Sequence, residues 1–291
     1  MYKQVKVTAI SLKPTKWDKL GNADAMERFF RKAAEDGPDL ILQTEGVLEG
    51  YVIMDVIEGR KTADELLEVA EPIDGEYIQR FQDLARDLQT CLAFGFAERI
   101  GGEVFNAAIF IDTNGEILGR YHKTQLAEGA DESWNFNRVG STLRAFDTPF
   151  GRAGFVICND RWNPMIVRTL VLDGAQYIMI PSFGSKSKGQ NVTVLARARE
   201  NGVPIVEANV GVNMIVNKGE VVAYAWGNDR ITTAVIDIPE SPSTEAARAF
   251  ETEYMGLQGP EMARRYQETC KRLKGERNEV EKAQRGELIV T

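Results

Sequence analysis

The chain is nearly without histidine: His122 is the only one in 291 residues. That shortage all but excludes Cys–His and Ser–His–Asp catalysis and any multi-histidine metal site. Cysteine is scarce too. Cys91, Cys158 and Cys270 are widely scattered and form no C-x-x-C pair. Neither a disulfide framework nor a zinc site is therefore expected, and the cytoplasm is the expected compartment. No apolar run is long enough to cross a bilayer. The opening M-Y-K-Q-V-K-V-T-A-I goes straight into a strand pattern, with no secretory signal expected. Basic charge is not in excess either, since the net charge is −8 with acids and bases intermixed. Binding phosphates or anionic lipid needs a basic patch, so neither nucleic acid nor membrane is an expected partner.

What is present is the composition of a globular chain: 43% hydrophobic residues decide against disorder, and the length suits one large α/β domain or two small ones. The stretch that organises it runs from Gly151 to Ser182. Gly154 to Ile157 reads as a strand that stops at Cys158, Pro164 opens a helix, Gly174 closes it, and Tyr177 to Ile180 is a second strand. A cysteine thus stands in the turn between a strand's carboxyl end and a helix, where open α/β sheets bind ligands. The helix N-terminus would favour a thiolate there. The bland alternative is a small buried apolar residue.

Upstream, Val5 to Leu12 is a buried strand, and Asn22 can cap a helix with Met26, Phe29, Phe30, Ala33 and Ala34 on one face. Leu40 to Gln43 is a strand ending at Thr44-Glu45-Gly46. Thr62-x-x-Glu65 is a capping box, and Ile78, Phe81, Leu84, Ala85 and Leu88 mark another core-facing helix. Leu92 to Ala97 is a strand, with Cys91 beside it as a core residue. Phe105–Ile111 and Ile117–His122 are strands joined by Asp112-Thr113-Asn114-Gly115, a hairpin signal. Leu143 to Phe146 is a short strand. Beyond the cysteine unit, Val192 to Asn201 is helical, and strands follow at 203–209, 214–216, 221–226 and 232–238. Residues 1–239 form the expected main domain, a mixed-sheet sandwich with helices outside. After the break at Pro239 the chain becomes charged and helical, so 240–291 is an extension whose stripe of Met262, Tyr266, Cys270 and Leu273 must dock on its own domain or a neighbouring subunit.

Three strands end on a reactive residue: Glu45, Lys123 and Cys158. A carboxylate can take a thiol proton, and an ammonium can stabilise both thiolate and oxyanion. Without histidine, this trio supplies the parts for acyl transfer through a thioester. The segment 182–189, S-F-G-S-K-S-K-G, lacks the phosphate-loop spacing and reads as a flexible loop beside the site, a candidate lid.

Three segments then resemble those of one family. Glu45 in L-I-L-Q-T-E-G-V-L-E-G-Y, Lys123 in G-R-Y-H-K-T-Q-L and Cys158 in G-F-V-I-C-N-D-R-W-N-P are similar, in type and order, to the base, lysine and nucleophile segments of the nitrilase superfamily of carbon–nitrogen hydrolases. The resemblance covers roughly residues 5–238. It implies a four-layer αββα sandwich that associates into a homodimer or higher oligomer, and no metal or organic cofactor. It also implies a second glutamate that orients the lysine. Glu132, four residues before Phe136, is placed in that role ahead of Glu128. Cys158-Asn159-Asp160-Arg161 resembles the N-carbamoyl-amino-acid amidohydrolase branch, where the equivalent arginine grips the substrate carboxylate. The alternative for Arg161 is an internal pair with Asp160 or another acid. Asn159, Arg161, Trp162 and Ser182 are the expected substrate-binding residues. Departures are Gln125, where many members carry histidine, and Pro164-Met165 in place of a Pro-Glu pair. The expected activity is hydrolysis of an amide or N-carbamoyl group on a small molecule. A small nitrile is the near alternative, and a non-catalytic scaffold or an acyltransferase the remote one.

Overall fold

Leu40, Ile41 and Leu42 are all completely buried because this short strand lies in the middle of a sheet that is covered on both faces. Leu40 and Leu42 face a second sheet, whereas Ile41 points the other way, under two helices. A computed structural model describes residues 3–184, 188–240 and 247–284. In chain order the elements are β1 (Lys3–Ile10), α1 (Lys19–Ala34), β2 (Leu40–Leu42), α2 (Ile53–Ile57), α3 (Ala63–Val69), α4 (Glu76–Leu88), β3 (Cys91–Ile100), β4 (Glu103–Ile111) and β5 (Ile117–His122). There follow β6 (Phe146–Thr148), β7 (Gly151–Phe155), a 3-10 turn (Cys158–Trp162), α5 (Pro164–Leu172), β8 (Tyr177–Ser182) and α6 (Lys188–Asn201). The remainder is β9 (Ile205–Asn209), β10 (Val212–Asn217), β11 (Glu220–Trp226), β12 (Ile231–Ile238) and α7 (Ala247–Gln284).

The strands make two six-stranded mixed sheets, ordered β12-β1-β2-β3-β4-β5 and β11-β10-β9-β8-β7-β6. Period-two alternation sends Cys91 and Ala93 toward the other sheet, while Leu92, Phe94 and Phe96 meet Met26, Phe30, Ile78 and Phe81 of α1 and α4. On the outer face of the second sheet, Ile166, Val167 and Leu170 of α5 and Val194 and Ala198 of α6 are buried. The result is the four-layer αββα sandwich. The β4–β5 hairpin closes at Gly115, whose φ of +74° suits glycine, with the Asp112 carboxylate accepting the N–H groups of Asn114 and Glu116. The capping box at Thr62 forms as its sequence requires. Asn22, in contrast, does not cap α1. Asp18 does, accepting the Gly21 N–H at 3.0 Å, and Asn22 is buried one turn in, bonded to Thr15 and Leu48.

Within 240–291, the expected extension, residues 247–284 form one long helix, α7. Its Tyr254 and Met262 are buried against its own chain, Glu251 pairs with Arg144, and the Tyr266 ring packs edge-on against Trp134 at 4.4 Å. Of the expected stripe, Met262 and Tyr266 thus dock within the subunit, and Cys270 and Leu273 are half-buried. The strand-like 288–291 and the centre of the expected lid, 185–187, lie outside the described residues. No helix among the described residues is long and apolar enough to cross a membrane.

Candidate active site

Each reactive residue follows the carboxyl end of a strand: Glu45 after β2, Lys123 directly after β5, and Cys158 after β7. The Glu45 turn continues the sheet ladder. Gly95 of β3 donates to Thr44 O at 3.0 Å, and Val47 N–H donates to Gly95 O at 2.9 Å. This needs a glycine, because a Cβ at position 95 would lie 2.8 Å from the Glu45 Cα, against backbone that cannot step aside. Gly95→Ala is expected to push the Glu45 turn outward, costing about 1–3 kcal/mol of stability and more than its share of activity. Thermal melts beside turnover rates check this, and a fully active, equally stable variant would show that the turn is not pinned there.

Three donors converge on the Glu45 carboxylate. Lys123 Nζ lies 2.6 Å from Oε1 and Asn106 Nδ2 at 2.8 Å from the same oxygen, while the Phe183 N–H reaches Oε2 at 2.7 Å. Both members of the Lys123–Glu45 pair have no exposed side-chain surface. Burial alone would lower the Lys123 pKa, but Glu45, and behind it Cys158, Glu128 and Asp160, hold it above the ordinary lysine value. Its ammonium also lies 5.9 Å from the centre of the Tyr51 ring, which stacks on Phe183.

Cys158 has φ +43°, the left-handed region that residues with a Cβ rarely occupy. Its Sγ lies 3.7 Å from Phe183 O, and a Cβ added to Gly184 would come within 3.9 Å of the sulfur. Burial, with the Glu45 charge, pushes the thiol up to about 11, against the pull of Lys123 and Arg161. The sequence expectation of a thiolate favoured by a helix N-terminus therefore fails. A 3-10 turn separates the sulfur from α5, and the Asn163 side chain takes the Met165 N–H at the start of that helix. The resting group is a thiol, and ionising it needs a base at hand.

The turn is tied to the lysine segment by Asp160. Its carboxylate accepts the Ile157 N–H at 2.9 Å, the Gln125 N–H at 2.7 Å and the Tyr121 hydroxyl at 2.8 Å. Asn159 donates its side-chain amide to Gln125 O at 3.1 Å, and Gln125 donates back to Asn159 O at 3.4 Å. Trp162 projects from the turn and is 49% exposed. Arg161 and Ser182 are buried and bonded to each other, and Arg161 also pairs with Glu207 of β9.

Glu132 is a correction. Its side chain is exposed on a loop facing residues 259–263 of α7, and the structure does not bring it to Lys123. Glu128 is the buried acid of that segment: it accepts from the Tyr51 hydroxyl and adds to the field that holds Lys123 charged. The spacing to Phe136 misled because that ring is taken up by Trp134, which packs in turn on Tyr266 of α7. Sequence reasoning also missed Asn106, Tyr51, Phe183 and Glu207. Asn106 carried a signal, an amide at the head of the apolar run A-A-I-F-I. His122 bonds to Glu98 at 2.7 Å and stacks on Phe105. Among the described residues no cluster of His, Cys, Asp and Glu is arranged to hold a metal ion.

Glu49, one turn beyond Glu45, accepts the Ala97 N–H at 2.8 Å. Burial pushes its carboxyl up to about 7 despite that bond, with the Glu45 charge adding to the rise. A carboxyl raised above its unfolded value of about 4.3 binds its proton more tightly in the folded state. Its stabilising contribution is complete below that unfolded value and is lost as pH rises through about 7. Melting temperature is expected to fall over that window, and Glu49→Gln to flatten the fall. A parallel decline in the variant would assign it to other groups.

The family profile described as carbon-nitrogen hydrolase matches residues 6–246. An N-carbamoylputrescine amidase of Oryza sativa subsp. japonica is 29% identical over 198 residues, covering 67% of this chain and 62% of that protein, so the match spans less than two thirds of this relative. A citrullinase of Francisella tularensis subsp. tularensis is 26% identical over 201 residues, covering 65% of this chain and 68% of the relative. The crystal structure of an amidase from Nesterenkonia sp. superposes with a TM-score of 0.68 over 87% of this chain and 96% of that one, at 22% identity, a likeness of fold. Profile, relatives and sandwich agree, and the chain belongs to the carbon–nitrogen hydrolase family, the nitrilase superfamily that its three segments resemble.

Proposed function

We propose that this protein hydrolyses the C–N bond of an N-carbamoyl or simple amide group on a small molecule, through a thioester on Cys158. The observation that carries the reading is the Lys123–Glu45 pair, 2.6 Å long and fully buried, within electrostatic reach of a raised cysteine thiol. Glu45 takes the proton from Sγ, and the sulfur bonds to the carbonyl carbon. Lys123 and the Asn159 backbone N–H receive the oxyanion. As the tetrahedral species collapses, Glu45 returns the proton to the departing nitrogen and the C–N bond breaks. A water then gives its proton to Glu45, attacks the thioester and releases the acid, and the sulfur recovers its proton. Every proton in this sequence moves between Glu45, the sulfur, the substrate and water.

Two relatives bear the names of enzymes of ureido compounds, N-carbamoylputrescine and citrulline, which supports a carbamoyl group over a plain amide. A panel of N-carbamoyl amines, N-carbamoyl amino acids, simple amides and nitriles, read by ammonia release, tests the reading. Turnover of ureido compounds and amides is expected. Turnover of nitriles alone would replace the substrate class, and no turnover by folded protein would overturn the activity.

A further inference from the structure

We infer that Arg161 is a positioning residue of the nucleophile turn, and that the site therefore admits substrates with no anionic group beside the scissile bond. This rests on the role proposed for Cys158. Arg161 is 1% exposed, and all three guanidinium nitrogens are engaged inside the protein. Nε donates to Cys158 O at 2.6 Å, one terminal nitrogen to Glu207 and the other to Ser182 Oγ. A substrate carboxylate would have to displace Glu207, which has no exposed surface and also accepts from Gln190 at 3.3 Å. Expelling or doubling a buried carboxylate there is unfavourable, because the displaced charge has no water to enter.

The bond to Cys158 O has a purpose of its own. Cys158 keeps a left-handed backbone, a conformation that persists only where the surroundings over-determine it. Two braces grip that turn: Asp160 holds Ile157 N–H on one side of the cysteine, and Arg161 holds the cysteine's carbonyl on the other. The Arg161 charge also draws the thiol downward against burial. The surrounding charge points the same way. Glu45, Glu128 and Asp160 are buried about Lys123, the cation that together with Arg161 draws the Cys158 thiol down. A carboxylate beside the reacting carbonyl would enter that field without a partner.

Arg161→Lys keeps a charge but loses the fork, and Glu207→Gln keeps the shape but removes the counter-charge. Both are made in the full chain. Alkylation of Cys158 by iodoacetamide at pH 8 is followed by peptide mass, and kcat and KM are measured on an N-carbamoyl alkylamine and an N-carbamoyl amino acid. Arg161→Lys is expected to lower kcat about tenfold or more on whatever is turned over, to leave KM within about threefold and to slow alkylation, since the Cys158 carbonyl loses the guanidinium that holds it and the sulfur its fixed place. Glu207→Gln is expected to speed alkylation, and it decides alone if Arg161→Lys does not fold. The wild type is expected to prefer the alkylamine. The inference is overturned if Arg161→Lys raises KM for the amino acid alone with alkylation unchanged, if Glu207→Gln fails to speed alkylation, or if the amino acid is preferred. Hydrolysis surviving in Cys158→Ala would instead sink the proposed function and leave the alkylation result standing.

Discussion

Cys158→Ala is expected to lose hydrolysis by about 10⁴-fold or more while keeping the wild-type melting temperature to within a few degrees. The size follows from the role: removing a nucleophile removes the covalent route, and what survives is the remainder contributed by binding and oxyanion donors. The small stability effect follows from the surroundings. Cys158 is half-buried, its sulfur makes one long contact, to Phe183 O, and alanine has the same backbone restrictions at φ +43°. Cys91→Ala is the counter-case. Cys91 is completely buried between the sheets, with its thiol pushed up to about 12 by burial, so its loss should cost stability and leave the rate alone. A rate loss at Cys91 with full activity in Cys158→Ala would reverse the assignment.

Lys123→Met is the second large effect, and it acts on two quantities. As an oxyanion donor, Lys123 is worth about 10²-fold or more in kcat. As the partner of a completely buried carboxylate, its removal leaves Glu45 with only Asn106 and the Phe183 N–H, and breaking a buried pair costs about 3–5 kcal/mol. Adding Glu45→Gln should restore much of that stability, because no bare charge is then left in the core, without restoring turnover. Stability and rate thus part company in the double variant. Activity within a few-fold of wild type for Lys123→Met would mean that another cation binds the oxyanion.

Local chemistry makes much of this protein legible in its sequence. The turn at Asn114-Gly115 fixes its hairpin within four residues, the Thr62–Glu65 box closes on itself, and the apolar stripe of α4 points where its spacing says. The trio was legible for a related reason, because a strand end is where a reactive side chain is held firmly at the edge of a sheet. The failures concern partners far apart in the chain. Nothing near Arg161 announces Glu207, which lies forty-six positions on and meets it only because β8 and β9 run parallel. Glu128 and Glu132 share one loop. What separates them is Tyr51 on one side and α7 on the other, and neither is readable from that loop. The raised thiol was hidden similarly: a helix start is visible in sequence, whereas burial beside Glu45 is a property of the assembled layers.

Whether hydrolysis depends on the Cys158 sulfur is decided by stoichiometric alkylation. The wild-type chain is treated with iodoacetamide, and residual hydrolysis is plotted against modification at each of the three cysteines by peptide mass. Activity is expected to fall in proportion to carboxamidomethylation of Cys158 and to reach zero at one equivalent there, with Cys91 unmodified. Complete modification of Cys158 with hydrolysis intact, or activity that tracks Cys91 or Cys270 instead, would contradict it.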